Sequence, residues 1–469
     1  MSDSSSTEMV VAILRAEIAR LAPGDRLPSS RDLISRHVVS PVTVSRAFAL
    51  LAAEGAVVTR PGSGTYVAAR PVRSETDVPD TSWQAVALAG RDLDAPLVDG
   101  TSDPAPDGSI AMAGGYLHET LQPTRALAAA LARAARRPDA WHRAPTMGLA
   151  PLRAIFARQA GADVSPDDVL VTGGGQGALS MVFRAIAAPG SPVLVESPTY
   201  PGALAAARAA GLRPVPVPMD GDGIRTDLLA DAFAMTGARL LYCQPTFHNP
   251  TGTVLTPARR RQVVDVARAA GAFLIEDDFA RNLGHGRPVP RALVAEDPDG
   301  TVVQLTSLTK PASPSLRIGA VIARGPVMRR LQGMRMVEDF FIARPLQEAA
   351  VELVSTPAWE RHLRALSSAL RERCAVLGGA LVRETPGWKV TGLPTGGLHL
   401  WIQLPSGFSD FAVAEAARAH GVVVDPGRRY YPAEPPDTYL RLGFAAAADL
   451  AELTEGARRL GAAARGAER

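Results

Sequence analysis

The chain is poor in cysteine, nearly devoid of lysine, weakly charged overall and free of long apolar runs. Its two cysteines, Cys243 and Cys374, form neither a disulfide framework nor a metal-ligand spacing. No metal is therefore expected, and a reducing cytoplasm is the expected setting. No apolar stretch is long enough to span a bilayer, and Met1 to Thr7 lacks the basic-then-apolar pattern of a secretory signal, so no membrane partner is expected. The formal net charge is only +3 over 469 residues. A balance that small does not mark a nucleic-acid binder, and any case for DNA must come from local pattern. Of 50 cationic side chains only two are lysine, Lys310 and Lys389.

What is present is ordinary for a globular protein: 46% apolar and 21% charged residues, with glycine and proline throughout. The length exceeds one compact core and implies two or three domains. Near the N-terminus, Val11, Ile13, Leu14, Ile18 and Leu21 recur at helical spacing over Glu8 to Leu21, and Pro23-Gly24 stops that helix. Ser29 followed by Asp32 resembles a capping box opening a second helix to about Arg36. Ser40-Pro41 reads as N-cap and first helical position of a third, Val42 to Glu54, ending at Gly55. Val57–Arg60, the turn Pro61-Gly62-Ser63-Gly64 and Thr65–Val67 read as a hairpin. Three helices and a hairpin describe a winged helix-turn-helix over residues 1–68.

Residues 69–109 lose this periodicity and read as a linker. From 110 to 469, strand-like runs alternate with amphipathic helices. Asp168–Thr172, Pro192–Glu196, Leu240–Gln244, Ala272–Glu276 and Thr301–Leu305 are expected strands; Gly177–Ala188, Gly202–Ala210 and Pro257–Ala270 are expected helices. That alternation implies an α/β fold with a mostly parallel, doubly wound sheet. A smaller α+β subdomain is expected from about Arg335, with strands at Gly397–Leu404 and Tyr439–Phe444.

In a helix-turn-helix the last helix enters the major groove. Thr43, Ser45 and Arg46 are the candidates there for phosphate and base edges, with Arg31 placed for phosphate. Ser63 and Gly64, beside Gly62 at the hairpin tip, could approach a neighbouring groove. Arg31 and Arg46 taken singly read equally well as solvated surface charges. The whole string, Pro-Gly-Asp-Arg-Leu-Pro-Ser-Ser-Arg-Asp-Leu through Val-Thr-Val-Ser-Arg-Ala-Phe to Gly-Ser-Gly-Thr-Tyr-Val, resembles the winged helix of the GntR family, with Pro41 where many members carry arginine. The resemblance implies double-stranded DNA as a partner.

A second set of residues matches what a pyridoxal 5′-phosphate site requires: a lysine for a Schiff base, a carboxylate against the pyridine nitrogen, backbone N–H groups and cations for a phosphate, and a donor to the ring oxygen. Lys310 lies in Thr306-Ser307-Leu308-Thr309-Lys310, with Arg317 seven residues on. Asp277 ends an apolar run, between Glu276 and Asp278, where a strand's carboxyl end would face a crevice. Gly174, Gly175 and Gln176 join a strand to a helix. Ser307, Thr309 and Arg317 could add phosphate contacts, and Asn249, in His-Asn-Pro-Thr-Gly, could donate to the ring oxygen. Tyr200 could stack on the ring, or be a core aromatic. Arg441, a cation in an apolar run, needs a carboxylate from the protein or a ligand; a bound substrate or effector is the expected source. Lys389 reads as surface.

In this order, these elements resemble the class I aminotransferases of fold type I. With the winged helix in front, the chain resembles the MocR-type regulators of the GntR superfamily. That likeness implies Lys310 as the Schiff-base lysine, Asp277 as the partner of the pyridine nitrogen, and a head-to-tail homodimer whose effector is the cofactor itself or an amino compound. The chain departs from the pattern at Phe279, where the family usually has tyrosine. Arg143 stands near the position of another usual tyrosine. Both departures leave cofactor binding intact and predict weak or absent transamination. The expectation is a regulator; the alternative is a functional aminotransferase with an accessory winged helix.

Overall fold

A computed structural model describes residues 3–69, 80–88, 108–161 and 163–467. Most of the expected linker lies outside the described residues. The chain divides into two compact units, Met1–Asp92 and Leu93–Arg469.

The first unit contains helices Asp3–Ile18, Ser30–His37 and Pro41–Ala53 and an antiparallel hairpin of Val57–Arg60 with Gly64–Val67. The first helix starts before the expected Glu8, because its polar opening residues carry no apolar period. It closes at Ile18 because Arg20 N–H and Leu21 N–H bond three residues back and tighten the last turn. At the second helix the capping box forms. The Ser29 hydroxyl accepts from Asp32 N–H at 3.2 Å, and the Asp32 carboxylate accepts from Ser29 N–H at 3.2 Å. Ser40 caps the third helix with Pro41 at its first turn. Val10, Leu14, Leu33, Val44, Leu51 and Val57 close the core.

The second unit is built on an eight-stranded sheet. Its order is Val169–Thr172, Gly319–Ile322, Val302–Ser307, Phe273–Asp277, Leu240–Cys243, Pro192–Ser197, Arg213–Asp220 and Gly223–Ile224. Neighbours from Val302–Ser307 to Arg213–Asp220 pair in parallel. Gly319–Ile322 runs antiparallel to both its neighbours. Alternate residues of one strand enter different cores. Leu194 and Leu241 belong to one cluster, and Val193, Val195, Leu240 and Tyr242 to another. Helices thus cover both faces, and the strands read as continuous apolar runs rather than alternating ones.

A second sheet, Lys389–Val390, His399–Gln403, Tyr439–Gly443 and Asp425–Pro426, packs with helices Pro357–Glu384, Asp410–Ala419 and Leu450–Ala467. Its core gathers residues from Leu366 onward, together with Ile110, Met112 and Leu117. Ile110–Ala111 pairs with Val422–Val423. The helices expected to open this subdomain near Arg335 pack elsewhere: Val327, Met328 and Leu331 join one large-sheet core, and Ala350 and Leu353 join the other. Among the described residues no helix is long and apolar enough to cross a membrane.

Candidate functional site

The carboxyl ends of the sheet strands bring Thr172, Asp277 and Ser307 to one side, with Tyr200, Gln244 and Lys310 on the turns that follow. This is where an open α/β sheet leaves a crevice. The neighbouring acids are sorted by strand alternation. Glu276 accepts from Leu293 and Val294 N–H at 2.8 and 3.2 Å, and burial beside Asp278 pushes its carboxyl up to about 7. Asp278 accepts from Arg281 and from Gln304 Nε2. Asp277, between them, turns the other way. Its Oδ2 accepts from Tyr242 Oη at 2.6 Å and Gln244 Nε2 at 2.9 Å. Burial raises its pKa and these two donors oppose the rise.

Lys310 faces the same space. Its Nζ donates to the Gly115 carbonyl at 2.8 Å and lies 3.8 Å above the Tyr116 ring. Burial and the Arg441 cation lower its ammonium to about 7, with Arg317 adding to that effect and Asp277 opposing it. Lys389 is exposed.

Gly174 caps the helix Gly175–Ile186 at φ +100°, a conformation that strains residues with a β-carbon. A β-carbon there would also lie 2.9 Å from the Arg317 guanidinium carbon. The open N-terminal N–H groups of the helix and this exposed arginine thus form a cradle that only glycine leaves clear. Gln176 does not reach into it. Its Nε2 donates to the Gly202 carbonyl at 2.8 Å and its Oε1 accepts from Tyr200 Oη at 3.1 Å. Thr309 Oγ1 is buried without a partner, and Ser307 Oγ accepts from Thr309 N–H at 3.1 Å. These groups fit pyridoxal phosphate: an amine near neutrality, a positioned carboxylate, an anion cradle and a spare buried hydroxyl.

Gln244 ties the site together, since its Oε1 also accepts from Asn249 N–H at 3.0 Å. Asn249 Oδ1 accepts from Arg441 Nη1 at 3.1 Å. Arg441 also donates to the Ala113 carbonyl and forms an ion pair with Asp425. The sequence reading expected its carboxylate from a ligand. In the structure Asp425 supplies one, because it stands directly opposite Arg441 across two antiparallel strands. His399 Nε2 is buried and unpartnered, and burial with the Arg441 and Lys310 cations holds its ring well below the usual range. Phe279 packs half-buried against the smaller subdomain's core.

Gly115, Tyr116, Tyr242, Gln244, His399 and Asp425 were not singled out from sequence. Tyr242 inside Leu-Leu-Tyr-Cys and Asp425 inside Val-Val-Val-Asp-Pro carried the same signal as Arg441, a polar group in an apolar run.

On the first unit Arg31, Ser45 and Arg46 are exposed. Thr43 is not. It is buried, and its hydroxyl lies 2.8 Å from that of Ser40, so it completes the helix cap instead of facing outward. The Ser63 hydroxyl sits 2.6 Å from Tyr66 Oη. Gly64, at φ +120°, lies over Arg26, whose Nε would be 2.8 Å from a β-carbon. Among the described residues no cluster of histidine, cysteine or acids could hold a metal.

Residues 112–460 match the aminotransferase class I and II family, and residues 6–67 match the gntR family of bacterial regulatory proteins. The uncharacterized HTH-type transcriptional regulator YdcR of Escherichia coli is 30% identical over 92% of this chain and 93% of its own. The chain belongs to the MocR-type regulators of the GntR family. This MocR-type chain is also similar to the 2-aminoadipate transaminase of Thermus thermophilus, 33% identical over 76% of this chain and 91% of that one. The crystal structure of LysN, an α-aminoadipate aminotransferase from Thermus thermophilus complexed with N-(5′-phosphopyridoxyl)-L-leucine, superposes with a TM-score of 0.75. It is 30% identical and covers 82% of this chain and 99% of its own.

Proposed function

We propose that this chain is a DNA-binding transcription regulator that holds pyridoxal 5′-phosphate at Lys310, and that the cofactor, alone or with an amino compound, biases its grip on double-stranded DNA. The setting of Lys310 carries this reading. A solvated lysine is a charged ammonium at neutral pH. This one is pushed down to about 7 by burial and Arg441, so a large share is the neutral, nucleophilic amine.

When bound, the cofactor supplies an aldehyde for amine chemistry and a ring that withdraws electrons. Asp277, fixed by Tyr242 and Gln244, would meet the ring nitrogen as a carboxylate. The first N–H groups of the helix Gly175–Ile186, with Arg317, Thr309 and Ser307, would hold the phosphate. Asn249 keeps its Nδ2 donor for the ring oxygen while its Oδ1 accepts from Arg441. Tyr200, fixed through Gln176, would flank the ring. Phe279 offers no hydroxyl, which favours a sensing role over fast turnover.

Residues 1–68 would read DNA through Ser45 and Arg46, with Arg31 on phosphate, and residues 69–109 would join this unit to residues 110–469. Two copies associated head to tail would offer two winged helices to a repeated site. A ligand shifts DNA binding only if it binds the two states of the protein with different affinity.

Full-length protein with pyridoxal phosphate should develop a visible absorption band that Lys310→Ala abolishes. Gel shifts on DNA from its own promoter region should respond to the cofactor in the native chain and weaken in Arg46→Ala. No band, or DNA binding indifferent to cofactor and amino compounds, would overturn the reading. Steady turnover comparable with ordinary transaminases would replace it with the enzymatic one.

A further inference from the structure

The buried pair Arg441–Asp425 has a consequence for which amino compounds the site admits. Asp425 is 1% exposed and Arg441 4%. They are register partners on adjacent antiparallel strands, and Trp401 stands opposite Arg441 on its other side. Tyr430 Oη donates to the same Asp425 oxygen at 3.2 Å, and the Tyr430 ring lies 5.1 Å from the Arg441 guanidinium carbon. Strand register, tyrosine and arginine together hold the carboxylate in place. Turning it away would leave both a carboxylate and a guanidinium buried and unpaired, a costly state.

Arg441 lies close to Lys310, whose ammonium it lowers, and it touches Asn249 and the Ala113 carbonyl. Of the two arginines whose charge reaches Lys310, Arg317 stands in the anion cradle, which leaves Arg441 for an acid group carried by a bound amine. Recognition of a carboxylate by arginine favours two parallel N–H donors. Here one terminal nitrogen already serves Asp425 and Ala113, and the other serves Asn249; Nε alone is without a partner, so no pair of parallel donors is left wholly open to a ligand. An incoming carboxylate would also meet the Asp425 charge.

We infer that Asp425 is a specificity-determining residue: it neutralises Arg441 and occupies one of its terminal nitrogens from within the chain, so the site selects primary amines that carry no carboxylate on the amine-bearing carbon. This rests on the cofactor reading above and names the class of effector for the same site.

The test uses full-length protein loaded with pyridoxal phosphate and follows displacement of its visible band by matched probes. The pairs are 1,4-diaminobutane with L-ornithine, n-propylamine with L-2-aminobutyrate, and 2-phenylethylamine with L-phenylalanine; in each the second compound adds only the carboxylate. The native chain should respond to each amine at a concentration at least about tenfold below that of its partner, the scale of one charge-assisted hydrogen bond. Asp425→Asn frees Arg441 and should shift the ratio by about tenfold or more towards the amino acids. Asp425→Ala with Arg441→Met removes both charges and guards against a misfolded single variant; it should bind the amines without gaining the amino acids.

Equal responses within the pairs in the native chain would overturn the inference. So would an unchanged ratio in a folded Asp425→Asn protein. Failure of the cofactor reading is a separate outcome, an absent band or one that survives Lys310→Ala, and it would overturn this inference with it.

Discussion

Replacing Lys310 by methionine should stabilise the cofactor-free protein at neutral pH. The folded-state pKa of Lys310 falls from 10.5 to about 7. A lysine with a depressed folded pKa contributes its full stability above the unfolded value and loses it as pH falls towards the folded one. Between those two values the native state progressively takes on the cost of a buried ammonium that the unfolded chain solvates freely. The displacement corresponds to a ceiling of about 5 kcal/mol. Lys310 is only half-buried, and its contacts with Gly115 and Tyr116 favour the charged form. The expected gain is accordingly about 2 kcal/mol. Methionine keeps an unbranched chain and a favourable contact with the Tyr116 ring. Urea midpoints read by tryptophan fluorescence should place the variant above the native chain at pH 7, with the gap closing as pH approaches 10.5. A gap absent at neutrality, or constant across that range, would refute the reasoning, because packing alone does not titrate.

Tyr242→Phe removes the donor 2.6 Å from Asp277 while keeping the buried ring. Losing one charge-assisted hydrogen bond should cost about 1.5–3 kcal/mol and raise the Asp277 pKa further. Cofactor affinity, read by titration of the visible band, should fall about tenfold or more, and most steeply at the acid end, where Asp277 is first protonated. Gly174→Ala drives a β-carbon against the Arg317 guanidinium at a backbone angle hostile to side chains. It should weaken binding of pyridoxal phosphate more than that of unphosphorylated pyridoxal; equal losses for both would count against the cradle.

The architecture was legible wherever a local period met a cap or turn. The headpiece helices, the hairpin and the parallel strands lie within a few residues of their expected places, since Ser29, Ser40 and Pro41 mark their own boundaries. The expected start of the smaller subdomain failed for a physical reason. The helices 326–338 and 344–354 are amphipathic whichever core they cover, and only tertiary contact assigns them to the large sheet. The pairing of Ile110–Ala111 with Val422–Val423 is equally non-local. Within the site, Lys310, Asp277 and Gly174 stood out because their chemistry is uncommon in their surroundings. Thr43 misled because hydroxyls at a helix start serve caps as readily as ligands. Asp425 and Arg441 sit on different strands 16 residues apart, so Arg441 read as an unmet charge and only strand register supplied its partner.

The scarcity of lysine links these observations. Arginine cannot be deprotonated in a protein, so burial and neighbouring cations can only make a buried arginine costly. The same surroundings turn a lysine into a neutral amine. Arg441 accordingly answers its burial with Asp425, and Arg335 with Asp339, whereas Lys310 makes no ion pair and is held by a carbonyl and a ring. A chain that meets nearly every need for positive charge with arginine keeps a half-buried lysine where a charge is not what the site requires. Asp277 fits the same logic from the other side. Glu276 is spent on backbone N–H groups and Asp278 on Arg281 and Gln304. The middle acid alone turns towards Lys310, held by two neutral donors and with no cation in direct contact. The site therefore presents an unpaired amine and an unpaired carboxylate on one side of the sheet, which suits a ligand that carries an electrophilic carbon and a basic ring nitrogen.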